Sequence, residues 1–83
     1  MNSVCLATYN GSLFIERQLA SILAQIQIDD EVIVVDDKST DTTVQIIRGF
    51  EDERIKVYLN ETNLGHVATF EKAISYSCGR LIF

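Results

Sequence analysis

The stretch Glu31-Val32-Ile33-Val34-Val35-Asp36-Asp37-Lys38-Ser39-Thr40-Asp41 decides the fold. Its apolar core, Val32 to Val35, is β-branched throughout, which favours a strand. Neighbouring side chains in a strand point to opposite faces, so an unbroken apolar run requires burial on both. Such a strand belongs to a parallel sheet covered by helices. The strand ends at Asp36-Asp37, and Ser39, Thr40 and Asp41 are all suited to cap a helix. That helix runs through Val44, Ile47 and Phe50 and closes at Glu51-Asp52-Glu53.

On the N-terminal side, Ile15, Leu19, Ile22, Leu23 and Ile26 recur at helical spacing, with Glu16, Arg17, Gln18 and Gln25 off that stripe. Ser12 is the expected N-cap of this helix. Before it, Val4–Thr8 reads as a strand broken by Asn10-Gly11. On the C-terminal side, Ile55–Leu59 reads as a third strand and 60–65 as a polar loop. Val67, Phe70, Ala73, Ile74 and Ser77 mark a third helical face, Gly79 reads as its C′ residue, and Leu81-Ile82-Phe83 begins a fourth strand.

Strands alternating with helices predict an α/β domain: a Rossmann-like, open, mostly parallel sheet. Sequential strands tend to be neighbours and their crossovers are right-handed. Strands one to three then step outward, the fourth returns beside strand one, and the order is 3-2-1-4 with helices on both faces. Ligands of such sheets bind at the carboxyl ends of strands near the switch point. Here those ends carry Thr8-Tyr9-Asn10-Gly11 and Asp36-Asp37.

Tyr9 offers a flat ring on which a nucleobase can stack; the other reading is a loop tyrosine beside a turn-forming Asn-Gly pair. One of Asp36 and Asp37 faces the crevice, where a carboxylate accepts from a base N–H or a ribose hydroxyl; helix capping is the alternative. Gly65 serves backbone conformation or the close approach of a ligand. His66 reads as a solvated loop residue rather than a general base, and Lys72 and Arg80 as solvated cations rather than diphosphate ligands.

Composition sets the outer limits. The chain has 83 residues, 47% of them hydrophobic, and a net charge of −5. It makes one small domain at most, since domains usually run to about 100–150 residues. The acidic balance argues against nucleic acid as a partner. No run approaches the roughly 20 apolar residues of a transmembrane segment. The N-terminus lacks the basic and apolar regions of a signal peptide, which predicts a cytoplasmic protein. Cys5 and Cys78 then read as two reduced, buried thiols. Two cysteines and one histidine make a poor zinc set.

Together these segments resemble family 2 glycosyltransferases. Ala7-Thr8-Tyr9-Asn10-Gly11 is similar to the family's opening, as is its spacing to Gln18-Leu19-Ala20-Ser21-Ile22-Leu23-Ala24-Gln25. Glu31 to Thr43 is similar to the family's most recognisable stretch, and Asn63-Leu64-Gly65 and Phe70-Glu71-Lys72-Ala73-Ile74 complete the set. The resemblance implies a GT-A fold, with residues 1–83 as the N-terminal, nucleotide-sugar-binding part. It implies inverting transfer of a sugar from a nucleoside-diphosphate sugar, a UDP- or dTDP-sugar, to a saccharide acceptor in surface polysaccharide biosynthesis. It assigns Thr8 and Tyr9 to the base pocket, Asp37 to the base or ribose, and a structural role to Asp36.

The resemblance also implies Mg²⁺ or Mn²⁺, held by an Asp-x-Asp or Asp-Asp motif after the fourth strand. That motif is not among these 83 residues. The expectation is a truncated GT-A domain without its metal ligands, acceptor site and catalytic base, inactive alone. Without a cation, Asp36, Asp37 and Asp41 would repel a diphosphate. Two other readings remain. A homodimer through the sheet edge at Leu81–Phe83 would make the chain a non-catalytic module. A dinucleotide-binding module suits an acidic residue after strand two, but the first turn has only Gly11 and lacks G-x-G-x-x-G.

Overall fold

The computed structural model describes residues 1–82. Strand β1 spans Asn2–Thr8, helix α1 Ile15–Gln25, β2 Glu31–Asp36, α2 Thr43–Gly49, β3 Ile55–Leu59, α3 His66–Tyr76 and β4 Arg80–Ile82. The strands form one sheet in the order β3-β2-β1-β4. All three pairings are parallel, and Thr8 lies opposite Asp36, which lies opposite Leu59. The open, helix-covered sheet expected from Val32–Val35 is therefore the one observed.

The alternation in β2 divides the core in two. Val32 and Val34 pack with Ile15, Leu19 and Ile47, on the side of α1 and α2. Ile33 and Val35 pack with Cys5 and Ala73, on the side of α3. Every residue of β2 is buried. Removing apolar area from water on both faces of one strand is the main stabilising term available to so small a domain. Among the described residues no helix is long and apolar enough to cross a membrane.

Several local expectations are corrected. Ser12 does not cap α1. Phe14 and Ile15 both donate to the Gly11 carbonyl, so the chain tightens before the helix begins at Ile15. Ser12 instead gives its backbone N–H to Asp41. Val67 is exposed, because α3 begins at His66 and turns Thr69 and Ala73 inward, one helical turn apart. Cys78 is exposed while Cys5 is buried, and both are free thiols.

Gly79 is not the C′ residue of α3, which ends at Tyr76 with an extended Ser77 as its cap. A Cβ at Gly79 would stand 2.8 Å from the Met1 carbonyl oxygen and 2.9 Å from Ser3 Oγ. The missing side chain lets β4 close onto β1, where the Gly79 N–H donates to Ser3 Oγ at 2.8 Å. Strand β4 is an outer strand of the sheet; of the segment Leu81–Phe83, Phe83 lies outside the described residues.

Candidate functional site

Three loops meet at the carboxyl ends of β1, β2 and β3, and hydrogen bonds tie each to the next. The pleat first separates the two adjacent carboxylates. Asp36 continues the Val32–Val34 side, where it meets Thr8. The Thr8 hydroxyl donates to Asp36 Oδ1 at 2.7 Å. The Ser39 hydroxyl donates to the same oxygen and the Ser39 N–H to Oδ2, both at 2.7 Å. Asp36 is thus a buried anchor between β1 and the β2–α2 loop, the structural role expected of it.

Of the residues expected to cap α2, Ser39 and Thr40 join this lacing instead, while Asp41 joins it and also accepts from the first N–H of the helix. Ser39 Oγ accepts from the Asn10 N–H at 2.9 Å, and the Thr40 N–H donates to Asn10 Oδ1 at 2.8 Å. The Gly11 N–H donates to the Thr43 hydroxyl. Asp41 accepts from the Ser12 N–H, the Thr43 N–H and the Thr43 hydroxyl. Asn10 and Lys38 sit in the left-handed region, with φ of 49° and 57°, which asparagine tolerates better than most residues.

Asp37 turns the other way, toward α3. Its Oδ1 accepts from the Leu64 N–H at 2.7 Å and from Asn60 Nδ2 at 3.0 Å, and its Oδ2 accepts from the Gly65 N–H at 3.0 Å. Asn63 Nδ2 donates to the Asp37 carbonyl at 2.6 Å. One carboxylate therefore shapes the whole loop before α3. Gly65 has φ of 91°, a conformation that strains any residue with a Cβ. The Leu64 N–H above all, with Asn60 and Gly65, holds the Asp37 carboxyl below the ordinary carboxylate range. At neutral pH it is ionised and can only accept.

Between these loops lies a cavity of about 460 Å³, within the range of roughly 300–1,000 Å³ found for small-molecule sites. Thr8, Tyr9, Asp37, Asn63, Gly65 and His66 line it. The three residues that the resemblance assigns to the nucleotide, Thr8, Tyr9 and Asp37, all line this one cavity. Tyr9 exposes 55% of its surface and presents a ring to stack upon. Thr8 contributes wall, with its hydroxyl proton already given to Asp36. His66 is exposed. A larger groove of about 720 Å³ lies at the amino ends of the strands. That is the wrong end for a ligand site in a parallel sheet, and its Asp30 and Asp52 are occupied by backbone N–H groups and the Arg54 guanidinium.

Lys72 is half-buried rather than simply solvated, and donates to Asn60 Oδ1 at 3.0 Å; Arg80 is exposed on β4. Asn60, in the segment expected to be a polar loop, is buried. Its only sequence signal was its place, at the end of the strand beside the Asp36-Asp37 strand. Among the described residues no group of three or more His, Cys, Asp or Glu side chains is placed to hold a metal ion.

The Asp41 contacts make a pH prediction. Above all the Thr43 hydroxyl, with the N–H groups of Thr43 and Ser12, holds the Asp41 pKa down to about 2. An unfolded aspartate titrates near about 3.9. A pKa lower in the folded state gives stability that is complete above the unfolded value and lost as pH falls through the folded one. Wild-type protein is expected to weaken between about pH 4 and pH 2 in urea unfolding, and Asp41→Asn to show a shallower loss in that window. Parallel pH profiles would refute this role for Asp41.

The model of glycosyl transferase family 2 matches residues 3–83. The chain is 34% identical over 80 residues to the Escherichia coli UDP-Glc:alpha-D-GlcNAc-diphosphoundecaprenol beta-1,3-glucosyltransferase WfgD, covering 96% of this chain and 32% of that protein. It superposes on Staphylococcus aureus TarS 1-349, solved with UDP-GlcNAc, with a TM-score of 0.90 and 33% identity, over 99% of this chain and 25% of that one. The mannosyltransferase PcManGT of Pyrobaculum calidifontis, solved with GDP-Man and Mn²⁺, gives 0.84 and 26% identity, over 93% and 24%. The chain thus spans about a third of WfgD's length.

Proposed function

The chain belongs to glycosyl transferase family 2, and we propose on that ground that its cavity receives the nucleoside of a nucleoside-diphosphate sugar. The observation that carries this reading is the convergence of the Tyr9 ring and the ionised Asp37 carboxylate on one cavity at the switch point. The ring stacks on the base, Asp37 accepts from a base N–H or a ribose hydroxyl, and Thr8 closes the wall. Of the UDP- and dTDP-sugars, the solved TarS complex with UDP-GlcNAc supports a UDP-sugar as the donor.

The whole reaction in this proposal is inverting transfer of the sugar to a saccharide acceptor in surface polysaccharide biosynthesis, a reading supported by WfgD's lipid-linked sugar acceptor. A divalent cation accompanies the diphosphate, as the Mn²⁺ in PcManGT suggests. The described residues offer no metal-binding group, so no step is assigned to this chain through the ion. The 83 residues are proposed to bind the nucleoside and, alone, to transfer no sugar.

Titration with UDP, followed by two-dimensional NMR, tests the site. Shifts are expected at Tyr9, Asp37 and Gly65, with little strengthening by Mn²⁺. Base–aromatic stacking contributes about 1–3 kcal/mol, so Tyr9→Ala is expected to weaken binding by roughly tenfold while leaving the fold unchanged. Shifts confined to other residues would remove the assignment. Sugar transfer by the isolated chain would remove the proposal that it is inactive.

A further inference from the structure

The grip on Asp37 extends beyond the cavity. Asn60 is buried and both amide hydrogens are engaged, one by Asp37 Oδ1 at 3.0 Å and one by Thr69 Oγ1 at 3.1 Å. Its amide oxygen accepts from Lys72 Nζ at 3.0 Å. The amide therefore has one orientation, nitrogen toward Asp37 and oxygen toward Lys72. The reverse would set its oxygen against a carboxylate and its nitrogen against an ammonium group. The Asn60 backbone is fixed as well, its N–H donating to the Asp36 carbonyl at 2.9 Å.

Acceptor counting shows what this arrangement does. A carboxylate offers about four acceptor sites. Among the described residues, Oδ1 of Asp37 takes the two donors from Asn60 and Leu64, and Oδ2 takes the one from Gly65. With Oδ1 filled, the remaining capacity lies on Oδ2. A carboxylate so held cannot rotate to offer its other oxygen, and it meets an incoming base as a single charged acceptor.

We infer that Asn60, oriented by Lys72, is a positioning residue that fixes Asp37 to discriminate between nucleobases. This rests on the reading of the cavity as a nucleoside site. Uracil carries a hydrogen on its N3 and satisfies an acceptor-only group. Cytosine presents a lone pair at the same place and leaves the buried charge opposed. A site built around a specific hydrogen bond rejects an analogue that lacks it, because the protein group is then left unpaired.

The test compares uridine with cytidine as probes, on the full 83-residue chain, by NMR titration. Wild-type protein is expected to favour uridine. In Asn60→Ala and Lys72→Met that preference falls by roughly tenfold, the effect of about one hydrogen bond to a charged group, while cytidine affinity is unchanged. A merely structural role would weaken both nucleosides alike. Lys72→Met spares the buried asparagine, and so serves if Asn60→Ala fails to fold. A ligand-free measurement separates the two levels: the Leu64 and Gly65 amides, bonded to Asp37 in the wild type, are expected to exchange faster in both variants. An unchanged uridine preference, or an equal loss for both nucleosides, overturns the inference and leaves the cavity assignment standing. Absence of nucleoside binding by the wild type overturns both.

Discussion

Asp36→Ala is expected to cost roughly 2–4 kcal/mol of folding stability, from the buried donors it leaves without partners. The carboxylate is 1% exposed and accepts from the Thr8 hydroxyl, the Ser39 N–H and the Ser39 hydroxyl. Removing it strands the buried Thr8 hydroxyl and the half-buried Ser39 N–H without their acceptor. A domain of this length has of order 4–12 kcal/mol in total, so the loss is a large share. Asp36→Asn should cost less, since its amide oxygen can still accept from the Ser39 N–H while its nitrogen donates to the Thr8 and Ser39 hydroxyls, which also accept. Urea unfolding measures the effect, and amide exchange at Asn10 and Ser39 shows whether the two loops part. A variant within about 0.5 kcal/mol of wild type, the usual range for an ordinary surface substitution, would show that Asp36 is not the anchor.

Leu19→Ala is expected to cost about 2–5 kcal/mol, the usual range for truncating a leucine in a packed core. Leu19 is fully buried beneath the sheet, against Ile15, Val32, Val34 and Ile47. The cavity opens on the face where α1 and α2 cross the sheet, at the centre of the cluster that holds both helices there. Leu13→Ala is the control. Leu13 precedes α1 and is 88% exposed, so its loss should stay within about 0.5 kcal/mol. Equal urea midpoints for the two variants would mean that α1 packs differently from the arrangement described.

The sheet was legible because its evidence is repeated along the chain. Val32–Val35 demanded cover on both faces, and the stripes from Ile15 to Ile26 and from Phe70 to Ile74 supplied helices to provide it. Strand order followed from chain connectivity and handedness. The legible part of the site was its location, since Thr8, Tyr9 and Asp37 stand where strands end. Errors came where one residue type serves two purposes. Ser12, Ser39, Thr40 and Asp41 have the chemistry of helix caps, but a hydroxyl or carboxylate that caps a helix can equally tie two loops together. Which one it does depends on what the tertiary fold brings within about 3 Å. Gly79 misled for a similar reason: a glycine after a helix suggests a C-cap, and only the course of β4 past Met1 and Ser3 shows the close approach it permits.

By itself, then, the amino-acid sequence determined a parallel sheet in the order 3-2-1-4, helices on both faces, and a switch point where β1 and β2 deliver an aromatic ring and two adjacent carboxylates. Burial pattern and chain connectivity are properties of the chain alone, and they suffice for that. The tertiary structure decided what each carboxylate does. Adjacent residues share one chemistry and differ only in the face to which the pleat turns them. Asp36 meets Thr8 and Ser39 and becomes an anchor. Asp37 meets Asn60, Leu64 and Gly65, and becomes a fixed, ionised acceptor beside the cavity. Those partners lie 23 to 28 residues away in sequence, a separation that no local pattern records.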